Sequence, residues 1–567
     1  MKTVSKPMES QLKRVAEQFS RKEITRRKFL AFMAAGGATM LTAACSKSIS
    51  SITSALISPT TSAQNTTMTT TATTTIATTT SITTETTSAV PTTSTVSTSN
   101  TTSAAPTTTA TSTTTTTAAT ATTTPSSSVT VGLTYKGEGT YGGYTLFAPN
   151  FSKNTYLIDI DGKLVHAWPS SYLPGQSVYL LEGGTLWRSV HLSDAGGGPT
   201  GGGVQKIGWD GMLMWDFKYM SDSYVPHHDI KPLPNGNVLL VCWEFKTQAE
   251  AVAAGRKTTL LSESKLWPEK IVEIQPSGST GGTVVWEWHL WDHLIQEADS
   301  SKLNYGTVAA HPELMDINFA LGGKADWIHI NAIDYNPKLD QIVLSCHEQS
   351  ELWVIDHSTT TAQAAGHTGG NSGMGGDIIY RWGNPRGYGA GTTSDQKLFA
   401  PHNTAWIESG LPGEGDILIF NNGNSRPGGN YSSADEITPP VNTQGGYTRS
   451  TGSAFGPTQQ TWIYKAKNPT DFFADKISSA QRLANGNTLI CHGPLGVFFE
   501  VTSAGETVWR YVNPVTDTGI TTQGQTIPTG TAGDTRSATF RAQRFAADSA
   551  ALKGLDLTPG KLLEQIL

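Results

Sequence analysis

Two patterns of apolar and polar positions recur along residues 142–512. In the first, an apolar strand runs into Asp, Gly or Ser in a tight turn, and the next strand carries two aromatics spaced by one residue. Clear copies are YLIDIDGKLVHAW (156–168), VQKIGWDGMLMWDF (204–217), IVEIQPSGSTGGTVVWEW (271–288) and FFEVTSAGETVWRYV (498–512). Two looser copies have longer turns, at 352–383 and from Glu436 to TWIY at 461–464. Side chains two apart on a strand share a face, so WEW, WRY and YRW present both aromatics to one neighbouring sheet. The second pattern is a strand, a turn and a strand. It reads HHDIKPLPNGNVLLVCWE (227–244), HINAIDYNPKLDQIVLSCHE (329–348), HNTAWIESGLPGEGDILIFNNG (402–423) and AQRLANGNTLICHG (480–493). QSVYLLEGGTLWRSVH (176–191) and GGYTLFAPN (142–150) are weaker relatives. Asn235-Gly236 and Asn485-Gly486 mark hairpins, because both turn residues accept positive φ.

Joined, the two patterns predict about four short strands per unit and six units. Four-stranded sheets repeated around a channel make a β-propeller, an all-β fold that leaves few strand edges exposed. A β-sandwich is the alternative, and six copies of one hairpin grammar favour the propeller. The Gly-rich run GHTGGNSGMGG (366–376) lacks the GxxxxGK[ST] pattern and no helix pattern follows it. It reads as a long hairpin loop, not a phosphate cradle. The tail, 513–567, holds a polar Gly/Thr stretch and then a helix-like end, ALKGLDLTPGKLLEQIL.

Composition divides the chain. It has 57 Gly and 15 Trp, yet only 15% charged and 37% hydrophobic residues. Residues 46–128 account for much of the mismatch. They are almost entirely Thr, Ser, Ala, Pro and Val, too poor in apolar surface to offset ordering entropy, and are read as a disordered tether. Residues 129–567 remain for the propeller. Residues 1–45 read as an export signal: Arg26-Arg27-Lys28-Phe29-Leu30 matches the twin-arginine consensus, and the apolar stretch to Ala44 is too short for a transmembrane helix. Cys45 ends a lipobox-like run and is the expected lipidation site, which makes the protein an extracytoplasmic, membrane-anchored lipoprotein. The net charge of −6 argues against nucleic acid as a partner. Cys242, Cys346 and Cys491 lie far apart in apolar runs and are expected as buried free thiols.

Histidine supplies the candidate chemistry. In a propeller, the first strand of each blade lines the channel. In three units that strand starts with histidine: His227 and His228, His329, and His402, each followed within two positions by Asp229, Asn331 or Asn403. Such a cluster suits a transition metal, or a nucleophile with a general acid or base. There is no HExxH pair.

The segments DWIHINAIDYNP (326–337), HHDIKPLPNGN (227–237) and PHNTAW (401–406), with the repeated ID..G..(V)W pattern, resemble the arylsulfotransferase family. These are bacterial, exported aryl-sulfate sulfotransferases built as six-bladed propellers. The resemblance implies transfer of a sulfuryl group from an aryl sulfate to a phenol, through a sulfohistidine and without a nucleotide donor, cofactor or metal. It places the nucleophile at His402, and contacts to the sulfuryl oxygens at His329 and Asn331. It puts an acid or base at His227 or His228, which repeat alignment does not separate. Where family members carry an Arg, this chain has His347, whose charge titrates and which lacks a bidentate fork. The characterised type also has an N-terminal β-sandwich linked to dimerisation; only a strand-like lead (128–139) precedes the repeats here, so no dimer is inferred. A metal-binding propeller and a non-catalytic ligand-binding propeller, each tethered at the cell surface, stand as alternatives.

Overall fold

The computed structural model describes residues 129–192, 200–319, 322–530 and 533–566. The export signal, Cys45 and the 46–128 tether lie outside the described residues. The described part belongs to one compact unit, Thr116–Leu567. It is a six-bladed β-propeller.

Each blade is an antiparallel sheet, and in blades 2 to 5 the strands follow chain order from the channel outwards. Blade 2 runs Pro174–Leu181, Thr185–His191, Gly202–Ile207, Leu213–Lys218. Blade 3 runs Tyr224–Pro232, Val238–Glu244, Glu269–Ser277, Gly281–His289. Blade 4 is Ile330–Asn336, Gln341–Cys346, Glu351–Asp356, Ile378–Trp382, and blade 5 is His402–Trp406, Ile417–Asn421, Ser433–Ile437, Trp462–Tyr464. Blades 1 and 6 close the ring. Blade 6 (Ser479–Arg482, Thr488–His492, Val497–Val501, Thr507–Val512) takes the N-terminal strand Gly132–Lys136 on its outer edge. In blade 1, the C-terminal strand Thr539–Phe545 lines the channel inside Tyr144–Pro149, Thr155–Asp159 and Leu164–Trp168. Residues 142–150 are therefore one strand, not the predicted hairpin, because their partner comes from the tail. The predicted helix-like C-terminus is also corrected. Gly554, Pro559 and Gly560 interrupt it, leaving a single 3-10 turn at Leu563–Gln565.

The core is divided among the blade interfaces. Trp286 and Trp288 of blade 3 pack with Ile342, Leu344 and Trp353 of blade 4 in one buried cluster, as the WEW spacing anticipates. Equivalent clusters join the other neighbouring blades, for example Trp509 and Tyr511 of blade 6 with Phe147 of blade 1. Cys242, Cys346 and Cys491 are buried and free.

The channel strands are less regular. In blades 1 to 5 their pairing shifts register near one end. Non-glycine residues sit there at positive φ: His228 at 52°, His329 at 57°, Asn403 at 46°. Each costs about 1 kcal/mol or more for an L-residue. The bulges bend the strand ends and re-aim their side chains.

Candidate active site

The bulged strand ends bring together His228, His329, His347 and His402. The ring centroids of His228 and His329 lie 4.4 Å apart, His329 and His347 5.1 Å, His347 and His402 5.2 Å, and His402 and His228 6.5 Å. His347 reaches the group because Ile330 pairs with Cys346 and the N–H of His347 donates to the His329 carbonyl at 3.2 Å. The hairpin thereby sets residues 329 and 347 side by side. The group opens to solvent on one side: the His329 side chain is 20% exposed, whereas His402 is 2% exposed.

The protonation state of His402 follows from its neighbours. The Asn422 amide nitrogen donates to the carbonyls of Ala474 and Ile477 at 2.8 and 3.2 Å. Its Oδ1 must then accept, and it faces His402 Nδ1 at 2.8 Å. Nδ1 carries the proton, and Nε2 keeps its lone pair, which accepts the N–H of Ile477 at 3.2 Å. Burial and the nearby His347 hold the His402 pKa well below the usual imidazole range. The ring is a neutral imidazole with an unprotonated Nε2. Ile477 holds this contact at φ 43°, a conformation rare for a β-branched residue.

His329 differs. Burial opposes its charge, but Asp326 Oδ2 at 2.5 Å outweighs burial and raises its pKa. It is the cationic member of the group. His347 stays below the usual range, mainly through burial, despite Glu348 at 3.3 Å.

His227 and His228 play different parts. His228 stands in the group. His227 lies behind it, stacked on Trp243 at 4.0 Å, with Nδ1 on His228 Nδ1 at 2.7 Å and Nε2 on Glu269 Oε2 at 2.8 Å. Burial raises the Glu269 pKa well above the carboxylate range and lowers His227 to about 3. The pair is thus neutral, with the proton on Glu269. Glu269 donates to His227 Nε2, His227 Nδ1–H donates to His228 Nδ1, and His228 Nε2 bears the hydrogen at the far end of the chain. Trp243 also donates to Asp326 at 2.9 Å, joining this chain to the carboxylate that charges His329.

Asn331 is fully buried and donates to the carbonyl of Pro401, next to His402, at 2.8 Å. Its Oδ1 is buried without a hydrogen-bond partner. Beneath the histidines, Arg541 of the closing strand binds Asp229 Oδ2 at 2.8 Å and the Tyr179 hydroxyl at 2.7 Å. Tyr179 and Arg541 also line a cavity of about 1160 Å³ at the other end of the channel strands, with Lys231, Asp334, Trp406 and Arg482. None of the five channel histidines lines that cavity. Glu269, Trp243, Asp326 and Asn422 were not singled out from sequence. Asp326 lies inside the DWIH segment, and its place three residues before His329 is the one signal available.

A family model described as Arylsulfotransferase (ASST) matches residues 141–527. The chain belongs to this family. Membership supports aryl-sulfate sulfotransferase activity on small aryl sulfates and phenols. No curated protein matches the chain. Among solved structures, a Bacteroides caccae protein of unknown function is 13% identical, with 66% of this chain and 95% of that one covered and a TM-score of 0.36. A catalytically inactive virginiamycin B lyase from Staphylococcus aureus, crystallised with quinupristin, is 11% identical over 69% and 87% of the two chains, at a TM-score of 0.32. A putative 6-phosphogluconolactonase from Bacteroides fragilis is 13% identical over 75% and 100%, at a TM-score of 0.32.

Proposed function

From membership in the arylsulfotransferase family, we propose that this chain passes a sulfuryl group from an aryl sulfate to a phenol through a sulfohistidine at His402. The observation that carries this reading is the convergence of four imidazoles, with a neutral His402 beside a cationic His329. The nucleophile needs a lone pair, and the anionic donor needs a cation.

In the first half-reaction, His402 Nε2 attacks sulfur. An N–S bond forms, and the S–O(aryl) bond breaks with its electron pair on the phenolate. His228 Nε2–H protonates that oxygen, His227 returns a proton to His228, and Glu269 returns one to His227. The His329 imidazolium meets charge developing on the sulfuryl oxygens. The Ile477 N–H, released from Nε2 as that atom bonds sulfur, becomes a further donor to them. His347, in the family's Arg position, faces the same space as a neutral donor. In the second half-reaction, the acceptor phenol loses its proton to the His228 chain and attacks sulfur. The N–S pair then returns to Nε2.

The test is transfer from an aryl sulfate to a phenol by the purified chain and by His402→Asn. Loss of transfer in a variant with unchanged circular dichroism supports the reading; full turnover by it refutes the assignment. Export by the twin-arginine route and anchoring through Cys45 belong to the same proposal, supported by the Arg26-Arg27 signal and the lipobox-like run. Mass spectrometry of the mature N-terminus tests them, and an unmodified Cys45 would count against the anchor.

A further inference from the structure

A second histidine cluster lies on the rim of blades 3 and 4. His293 follows the outer strand of blade 3. Asp377 precedes Ile378–Trp382, the outer strand of blade 4, and His367 sits in the Gly-rich loop before it. One ligand atom from each falls within 4.8 Å of the others. We propose that these three residues bind a zinc-class divalent cation that pins the 366–376 loop to the propeller.

The buried ring sets the argument. The His293 side chain is fully buried, and its Nε2 lies 2.8 Å from the carbonyl of Ala364. A carbonyl only accepts, so Nε2 carries the hydrogen. Nδ1 then directs its lone pair at Asp377 Oδ1, 2.8 Å away. The same oxygen is 2.7 Å from His367 Nδ1. A lone pair facing a carboxylate oxygen requires a cation between them, either a proton or a metal. A histidine that ligates metal through one nitrogen usually gives its other N–H to a carbonyl or carboxylate, as His293 does here.

Two imidazoles and one carboxylate suit a borderline cation such as zinc, whereas calcium and magnesium prefer oxygen donors throughout. Zinc–ligand distances of about 2.0–2.2 Å require the donors to part slightly. The loop can supply that movement: the His367 side chain is 59% exposed, and Gly369, Gly370, Gly373 and Gly375 all lie at positive φ. The same exposure gives the ion access and leaves room for a water as fourth ligand. On the inner side, Trp288 stacks on His293 and donates to the carbonyl of Gly376 at 2.6 Å, so that wall stays fixed.

The experiment uses the full chain without an affinity tag, stripped by chelator and equilibrated with zinc. Bound zinc is measured in wild type, His367→Ala and Asp377→Asn. Channel imidazoles are common to all three, so differences report the rim alone. Wild type should hold one more equivalent than His367→Ala, or bind it at least about tenfold more tightly. Zinc should slow proteolysis within 366–376 in wild type only. Equal zinc content in wild type and His367→Ala would overturn the site. A difference in zinc content without protection of the loop would overturn the pinning role.

Discussion

The channel and the rim each hold a histidine cluster, and the two differ in what holds the rings. In the channel, the inner rings have neutral partners: Asn422 for His402, and His227 for His228. Within the four-ring group, carboxylates touch only the outer rings, Asp326 at His329 and Glu348 at His347, while Glu269 meets His227 behind the group as a neutral carboxyl. Burial then keeps the inner rings uncharged, and one of them has an unprotonated nitrogen that meets only a backbone N–H. At the rim, two rings converge on a single oxygen of Asp377. That geometry calls for a cation, where the channel geometry offers a nucleophile. On the two proposals, one residue type would serve two chemistries, with an amide beside the His402 ring and one shared carboxylate oxygen between the His293 and His367 rings.

The sharpest way to break this contrast is His402→Asn. It should lower transfer by about 10⁴-fold or more and leave zinc binding at the rim unchanged. Glu269→Gln comes next. It can still donate to His227 but cannot pass a proton on. It should lower kcat by roughly tenfold to a hundredfold with little change in KM, most for phenols that leave poorly. Equal effects on good and poor leaving groups would remove Glu269 from the proton chain.

Asp326→Asn removes the charge and one of the two acceptor oxygens that Trp243 and His329 use. The His329 pKa is raised, so its imidazolium persists above the ordinary value and is lost as pH rises through the raised one. Without Asp326, burial is opposed by weaker partners and the pKa falls. The alkaline limb of kcat/KM should move to lower pH, reducing activity at about pH 8 by up to about tenfold. An unmoved limb would show that another group sets it. The smallest effect is expected for His367→Ala, which should lose rim zinc yet transfer sulfuryl groups at the wild-type rate.

The outer strands were legible in sequence because regular strands carry their faces in their spacing. Trp286 and Trp288 are both buried at a blade interface, as a period of two requires. The channel strands were only half legible. Their histidines could be seen, but the left-handed backbone at His228, His329 and Asn403 carries no glycine to announce it. Repeat alignment therefore left His227 and His228 equivalent, and the bulge separates them. Asn422 and Glu269 look like ordinary residues beside or at the end of a strand, and their function comes from tertiary contact. The closing strand Thr539–Phe545 was missed because it lacks the hairpin that marks the other channel strands. The rim cluster draws on three segments with no shared spacing. Only folding brings them together.

The central claim is that His402 carries the sulfuryl group between two substrates. It is tested most directly by mixing the full chain with an aryl sulfate, omitting any acceptor phenol, quenching, and mapping the modified peptide by mass spectrometry. The account predicts one sulfuryl group on His402, formed with stoichiometric phenol release and discharged when a phenol is added. Phenol release with no modified residue, or with the group on a different side chain, would contradict it.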